Sequence, residues 1–274
     1  MAFWKKDRFL FGVYTSLVLL IAGVALLAPW LAPQDPYDAV MRQALLAPSG
    51  EHWLGTDKLG RDCFSRILYG TRTSLVMTVS LVAIISIVGT TVGVISGYCG
   101  GKVDMVLMRI VDMMLAFPGI VLAIAIAGVM GGNIVNTILA LAAVSWTKYA
   151  RLGRSLTLKL RERDFIAAAV TNGAKPITLL WRHVLPNILP TIVITAAMDI
   201  GTMIMELAGL SFLGFGAQPP TPEWGLMLNE GRQHIQTAPW LMLYPGTAIL
   251  VVVAAFNLWG DSLRDIMDPQ KASR

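Results

Sequence analysis

From Phe9 to Gln34 the chain carries no formal charge, and the same is true of Thr73–Gly101, Met113–Thr147 and Leu241–Trp259. A fifth stretch, Asn187–Leu213, is interrupted only by Asp199 and Glu206. The hydrocarbon core of a bilayer is roughly 30 Å thick and is crossed by about 20 apolar residues in a helix, so each run is long enough to span it. Charged residues make up 14% of the chain and mean hydropathy is +0.63, whereas a soluble domain is about a quarter charged. Too few charges remain to clothe a water-facing surface. Lipid is the solvent for much of this chain.

These runs predict an all-α polytopic membrane protein with six transmembrane helices, in one transmembrane domain over residues 1–274. The expected spans are 9–31, 73–100, 106–130, 134–150, 187–213 and 241–260. Met113–Thr147 is too long for one helix, and Gly131, Gly132 and Asn133 divide it into a hairpin of two spans. The first run follows Lys5, Lys6 and Arg8, the arrangement of a secretory signal, but it exceeds a typical signal core and no clean A-x-A site follows. It reads as a retained anchor. Trp30, Trp240 and Tyr244 stand near span ends, where aromatic residues anchor helices at the membrane interface.

Lys and Arg set the orientation. With the N-terminus inside, sixteen of the 22 fall on inner segments: Lys5, Lys6, Arg8, Lys102, Arg109, eight between Lys148 and Arg182, Arg264, Lys271 and Arg274. Both termini are thereby expected in the cytoplasm, with 32–72 and 214–240 external and 151–186 a cytoplasmic loop. The basic residues behind the net charge of +5 flank apolar segments, so nucleic acid is not an expected partner; membrane lipid is.

Enzyme chemistry finds no constellation. Cys63 and Cys99 offer neither metal spacing nor a disulfide framework. His52, His183 and His234 lie far apart, and the fourteen methionines are commoner as packing than as ligands, so no metal site is expected. Gly97–Val103 resembles a phosphate-binding loop, but Ser96 stands where its first glycine belongs and no Ser or Thr follows Lys102. An intramembrane enzyme would need a nucleophile–base pair or a metal. An ion-coupled secondary transporter would be expected to show internal repeats, and none is evident.

Two helices carry small residues every fourth position: Gly89, Gly93, Gly97 and Gly101, then Gly119, Ala123, Ala127 and Gly131. Such stripes let backbones approach closely in lipid, as static packing or as a moving seam. Thr195, Asp199, Met203 and Glu206 share one helical face. Ionisable groups at membrane depth face a bundle interior or a wet cavity, which makes this face a candidate translocation path. Arg109 and Asp112, one turn apart, are expected to pair locally. Asp261, Arg264, Asp265 and Asp268 form a charged end after the sixth span.

The 151–186 loop is the most informative segment. Asp164 is placed to cap a short helix, Gly173 to permit a turn at positive φ, and Lys175-Pro176 to start a second helix that Leu185-Pro186 would end. A helix–turn–helix knob of this kind can receive force from a partner. Its pattern, Ala167-Ala168-Ala169, three residues, Gly173, nine residues, then His183-Val184-Leu185-Pro186, resembles the EAA loop of ABC importer permeases. Ala167 stands where that family has Glu, and His183 where it has Ile.

Other stretches resemble the dipeptide/oligopeptide/nickel permeases in particular: Leu54-Gly-Thr-Asp57 with Leu59-Gly-Arg-Asp62, Ser65-Arg66 and Tyr69-Gly-Thr-Arg72; Gly214 to Gly225; and Ala255 to Asp265. The chain is similar to the second ("C") permease of that family. Asp199–Met203, Ser145–Arg151 and Gly231–Pro239 are nearest to its nickel branch. The resemblance implies a type I importer permease in a bacterial plasma (inner) membrane, itself without an ATPase site or bound cofactor. It implies a homologous second permease, two cytoplasmic ATPase subunits that bind ATP and Mg, and an extracytoplasmic solute-binding protein. Ala167, Ala168, Ala169, Gly173, Leu185 and Pro186 would form the ATPase-coupling loop. Cargo would be nickel or a metal chelate, or alternatively a dipeptide or oligopeptide.

Overall fold

A computed structural model describes residues 2–267, with side chains from residue 8 onward. Lys5, Lys6, Asp268, Lys271 and Arg274 lie outside the described side chains. The described chain is helical, with a lone β-bridge between Thr56 and Asp62. Its elements are α1 (Ala2–Leu31), α2 (Cys63–Cys99), α3 (Gly101–Leu115), α4 (Gly119–Met130), α5 (Ile134–Arg161), α6 (Asp164–Thr171), α7 (Pro176–Leu179), α8 (Leu185–Phe212), α9 (Trp224–Gly231) and α10 (Trp240–Met267).

Among the described residues, four helical stretches are long and apolar enough to cross a membrane: Arg8–Leu31, Cys63–Cys99, Pro176–Phe212 and Trp240–Met267. The pair α3–α4 is a fifth candidate, bent by 89°. That bend corrects the single helix expected over 106–130. Pro118 lacks an amide hydrogen and drives Phe117 out of the helical region, so the helix stops at Leu115 and restarts at Gly119. The expected break at 131–133 is present: Gly131 takes φ +84°, and the Asn133 side chain accepts from Val135 N at 2.9 Å at the start of α5. α5 then runs past residue 150 to Arg161.

The chain divides into two compact units that no composition shift marks, one of residues 1–80, 126–138 and 197–274, the other of 81–125 and 139–196. In the first, Ile21 and Ala25 of α1, Leu75 of α2, Ile204 of α8, Trp224 and Met227 of α9, and Val252, Ala255 and Phe256 of α10 form a buried core. Trp259 Nε1 donates to Thr15 Oγ1 at 3.1 Å. In the second unit, three of the four glycines of the first small-residue stripe pack against α5. A Cβ at Gly89 would lie 2.5 Å from Tyr149 Cβ, at Gly93 2.7 Å from Arg154 N, and at Gly97 2.9 Å from Arg154 O. Only glycine permits this approach, and the seam is close backbone packing. Gly101 is not part of it; with φ +53° it opens α3.

Ion pairs tie α3 to α5. Arg154 Nε and Nη2 reach the two Asp104 oxygens at 2.5 and 2.6 Å, and Ser96 Oγ donates to the same carboxylate. Asp112 pairs with Arg151 at 2.6 Å, which corrects the expected partner Arg109. The packed neighbour presents its guanidinium directly to the carboxylate, whereas a local pair would have to reach along the helix surface.

Candidate functional site

The predicted knob follows directly from α5. Arg163, in extended conformation, takes the N-cap position of α6 without a side-chain capping bond, and Asp164 is the first helical residue. This corrects the capping role expected of Asp164, whose negative charge still complements the helix N-terminus. The helix ends as sequence chemistry predicts. Gly173 takes φ +79°, its N–H donates to Val170 O at 2.9 Å, and Ala174 N–H donates to Ala169 O at 3.1 Å. That pair of bonds is the Schellman arrangement, which glycine permits at no steric cost.

Lys175 then caps α7, with Pro176 in its first turn. Leu185-Pro186 does not end this helix. The path continues through a π-helical turn, Leu180–Val184, into α8. Proline cannot donate to the carbonyl four residues back and its ring crowds it. Widening one turn relieves both conflicts and lets the helix pass Pro186.

Burial sorts the residues of this knob. Ile166 of α6 and Leu179 of α7 join Val94, Val184 and Ile188 in one core cluster, with Leu156, Leu160, Ala169 and Leu185 packed around it. Ala167, Ala168, Gly173 and Pro186 are exposed, as are Phe165 and Val170 of the same short helix. α6 is thus pinned by one buried side chain, with a small-residue apolar face turned outward.

All four candidate path residues fall on α8. Asp199 and Met203 are buried, Thr195 and Glu206 half-buried, and Thr195 Oγ1 donates to Thr191 O at 2.8 Å. Asp199 and Glu206 both have interaction partners.

Sequence reasoning missed a buried charge network in the unit that contains α9. Arg61 Nε lies 2.6 Å from Asp57 Oδ2, and its Nη2 lies 3.1 Å from Glu230 Oε2. Arg66 Nη2 reaches the same Glu230 oxygen at 3.2 Å, while its Nη1 donates to the carbonyls of Pro36 and Pro220, both at 3.2 Å. Both Arg side chains are 1% exposed. Asp57 Oδ1 also accepts from Leu59 N and Arg61 N, closing the turn in which Gly60 takes φ +78°. Asp62 accepts from Ser65 N at the start of α2 and from His52 Nδ1 at 3.0 Å. Nearby, Glu223 caps α9 through Gly225 N and Leu226 N, both at 2.8 Å, and accepts from Ser74 Oγ at 3.3 Å. Burial among neutral donors pushes its carboxyl above the usual glutamate range. The Asp57–Arg61–Arg66 spacing was visible in the quoted motif, but Glu230 is 164 residues beyond Arg66.

Residues 89–273 match the binding-protein-dependent transport system inner membrane component family. This chain belongs to that family. The permease is 46% identical over 261 residues to the dipeptide transport system permease protein DppC of Alkalihalophilus pseudofirmus, covering 95% of this chain and 84% of that one. It is 40% identical over 269 residues to the nickel transport system permease protein NikC of Escherichia coli, covering 98% and 97%. With the glutathione transport system permease protein GsiD of Pectobacterium atrosepticum the figures are 46% over 261 residues, 93% and 85%. A chain of the inward-facing MetNI methionine ABC transporter superimposes with a TM-score of 0.61 at 19% identity, over 75% of this chain and 98% of that one. That likeness is of fold. The permease is therefore a multi-pass inner-membrane protein of the dipeptide, nickel and glutathione group of ABC importers.

Proposed function

We propose that this permease forms half of the translocation pathway of an ABC importer and that α6 is its coupling helix, seated in a cleft of a cytoplasmic ATPase subunit. The observation that carries this reading is the outward apolar face of α6, with Ala167 and Ala168 exposed while Ile166 is buried beneath them. A rigidly pinned helix with a flat surface transmits displacement to the helices on which it is seated. ATP and Mg are bound and hydrolysed on two partner ATPase subunits. Closure there moves α6 and, through Leu179 and the π turn, the start of α8. Six spans with both termini cytoplasmic, a homologous second permease, and a solute-binding protein delivering cargo to the 32–72 and 214–240 segments complete the assembly. Thr195, Asp199, Met203 and Glu206 are the proposed path residues.

The cargo reading is nickel or a metal chelate, supported by the Asp199–Met203, Ser145–Arg151 and Gly231–Pro239 stretches. A dipeptide or similar short peptide is the second reading, favoured by the 46% identity to DppC against 40% to NikC. Uptake of radiolabelled nickel and of a labelled dipeptide, in cells with and without the gene, separates the two. Ala168→Trp tests coupling: the ATPase should no longer co-purify with the permease pair, and uptake should fall at least about tenfold, the equivalent of about 1.4 kcal/mol in the coupled step. Unchanged co-purification and uptake would remove α6 from the ATPase contact.

A further inference from the structure

An apolar groove of 570 Å³ runs between α2 and α3, lined by Val92 and Ile95 on one side and Val103, Val106 and Leu107 on the other, with Lys102 at one end. It is shallow and lies open to the surroundings along its length. Lys102 is exposed and makes no ion pair with any described residue. The nearby carboxylate on its own helix, Asp104, is held by Arg154 and Ser96 instead.

A second cation borders the same turn. Arg161 Nη1 lies 3.6 Å from where a Cβ on Gly100 would be and donates to the carbonyls of Gly97 and Tyr98, both at 3.1 Å. It too lacks a carboxylate partner among the described residues. One cation, Lys102, thus stands at the end of a groove whose walls are hydrocarbon, and a second, Arg161, lies beside the α2–α3 turn on the last carbonyls of α2.

We propose that this groove is a binding site for an anionic phospholipid, one acyl chain lying against Val92, Ile95, Val103 and Val106 and the phosphate held by Lys102 and Arg161. The charge pattern selects this occupant. A neutral apolar helix would bury the groove and leave Lys102 unpaired, whereas a phospholipid satisfies the apolar and charged parts together. Each basic group near an anionic headgroup contributes about 1 kcal/mol, or about fivefold in affinity. With α3 tied to α5 by Asp104–Arg154 and Asp112–Arg151, a lipid bridging α2 and α3 would add a hold on its other side.

Native mass spectrometry of the purified importer complex tests this, with phosphatidylglycerol and phosphatidylcholine of identical chains added as probes. Wild type should retain phosphatidylglycerol at least about fivefold more tightly. Lys102→Gln should reduce that preference about fivefold while leaving phosphatidylcholine retention unchanged. Val106→Trp, at an exposed position in the groove wall, should weaken both lipids with the preference kept. Equal retention of the two lipids by wild type, or wild-type behaviour in either variant, would overturn the site. So would high-yield cysteine cross-linking of Val106→Cys to the partner permease in native membranes, since the groove would then be covered by protein.

Discussion

Glu230→Ala should be among the most damaging substitutions in this permease, although no sequence motif marks the residue. Its carboxylate accepts from both Arg61 and Arg66, at 3.1 and 3.2 Å, and lies 3.7 Å from Lys58. Without it, two guanidiniums that are each 1% exposed are left with Asp57 as their only carboxylate among the described residues. Removing one partner from a buried pair costs about 3–5 kcal/mol, because the remaining charge is neither solvated nor matched. For a chain of this size a kilocalorie shifts the unfolding midpoint by about 2–4 °C, so the expected drop is about 6–20 °C. Lys58→Ala is the internal control. Its side chain is 41% exposed, and such contacts contribute about 0–1 kcal/mol. The assay is the thermal midpoint of the purified importer complex, followed by size-exclusion survival after heating. A midpoint for Glu230→Ala within about 2 °C of wild type would show that water reaches these guanidiniums, and the reasoning would fail.

Gly93→Asn should cost about 3 kcal/mol, the upper end of the overpacking range, since the added atoms meet the α5 backbone. Gly131→Asn should stay within about 1 kcal/mol, because its φ of +84° and open surroundings suit asparagine; expression and midpoint of the two variants check this. Glu223 carries a raised carboxyl, so its contribution to stability is full below the usual glutamate value of 4.5 and is lost as pH rises through the folded value. Glu223→Gln should flatten that loss in a midpoint series from about pH 5 to 8, and parallel wild-type and variant curves would contradict it. Asp112→Asn breaks a pair whose side chains are both about half exposed; it should shift the midpoint by less than about 4 °C, and less still in high salt.

Much of the α6–α7 knob was legible in local sequence, although Arg163 rather than Asp164 took the N-cap position. The αL turn at Gly173 and the start of α7 at Pro176 depend on bonds within a few residues, which local chemistry dictates. The π turn was not, because Leu185-Pro186 terminates a helix by local rules. Here packing of Leu179, Val184 and Ile188 into one cluster outweighs the break. Of the glycine stripe, sequence showed the spacing but not which helix would meet it, nor that Gly101 would leave it.

Sequence by itself determined most of the apolar helical runs and the turn at Gly173, because these rest on composition and on contacts within about one helical turn, while its longer motifs pointed to the family. Tertiary structure decided the charge pairing. Asp112 found Arg151 rather than Arg109, and Arg66 found Glu230 across 164 residues. The physical reason is that a charge pairs with whichever partner packing brings beside it, and separation along the chain says nothing about which helix arrives there.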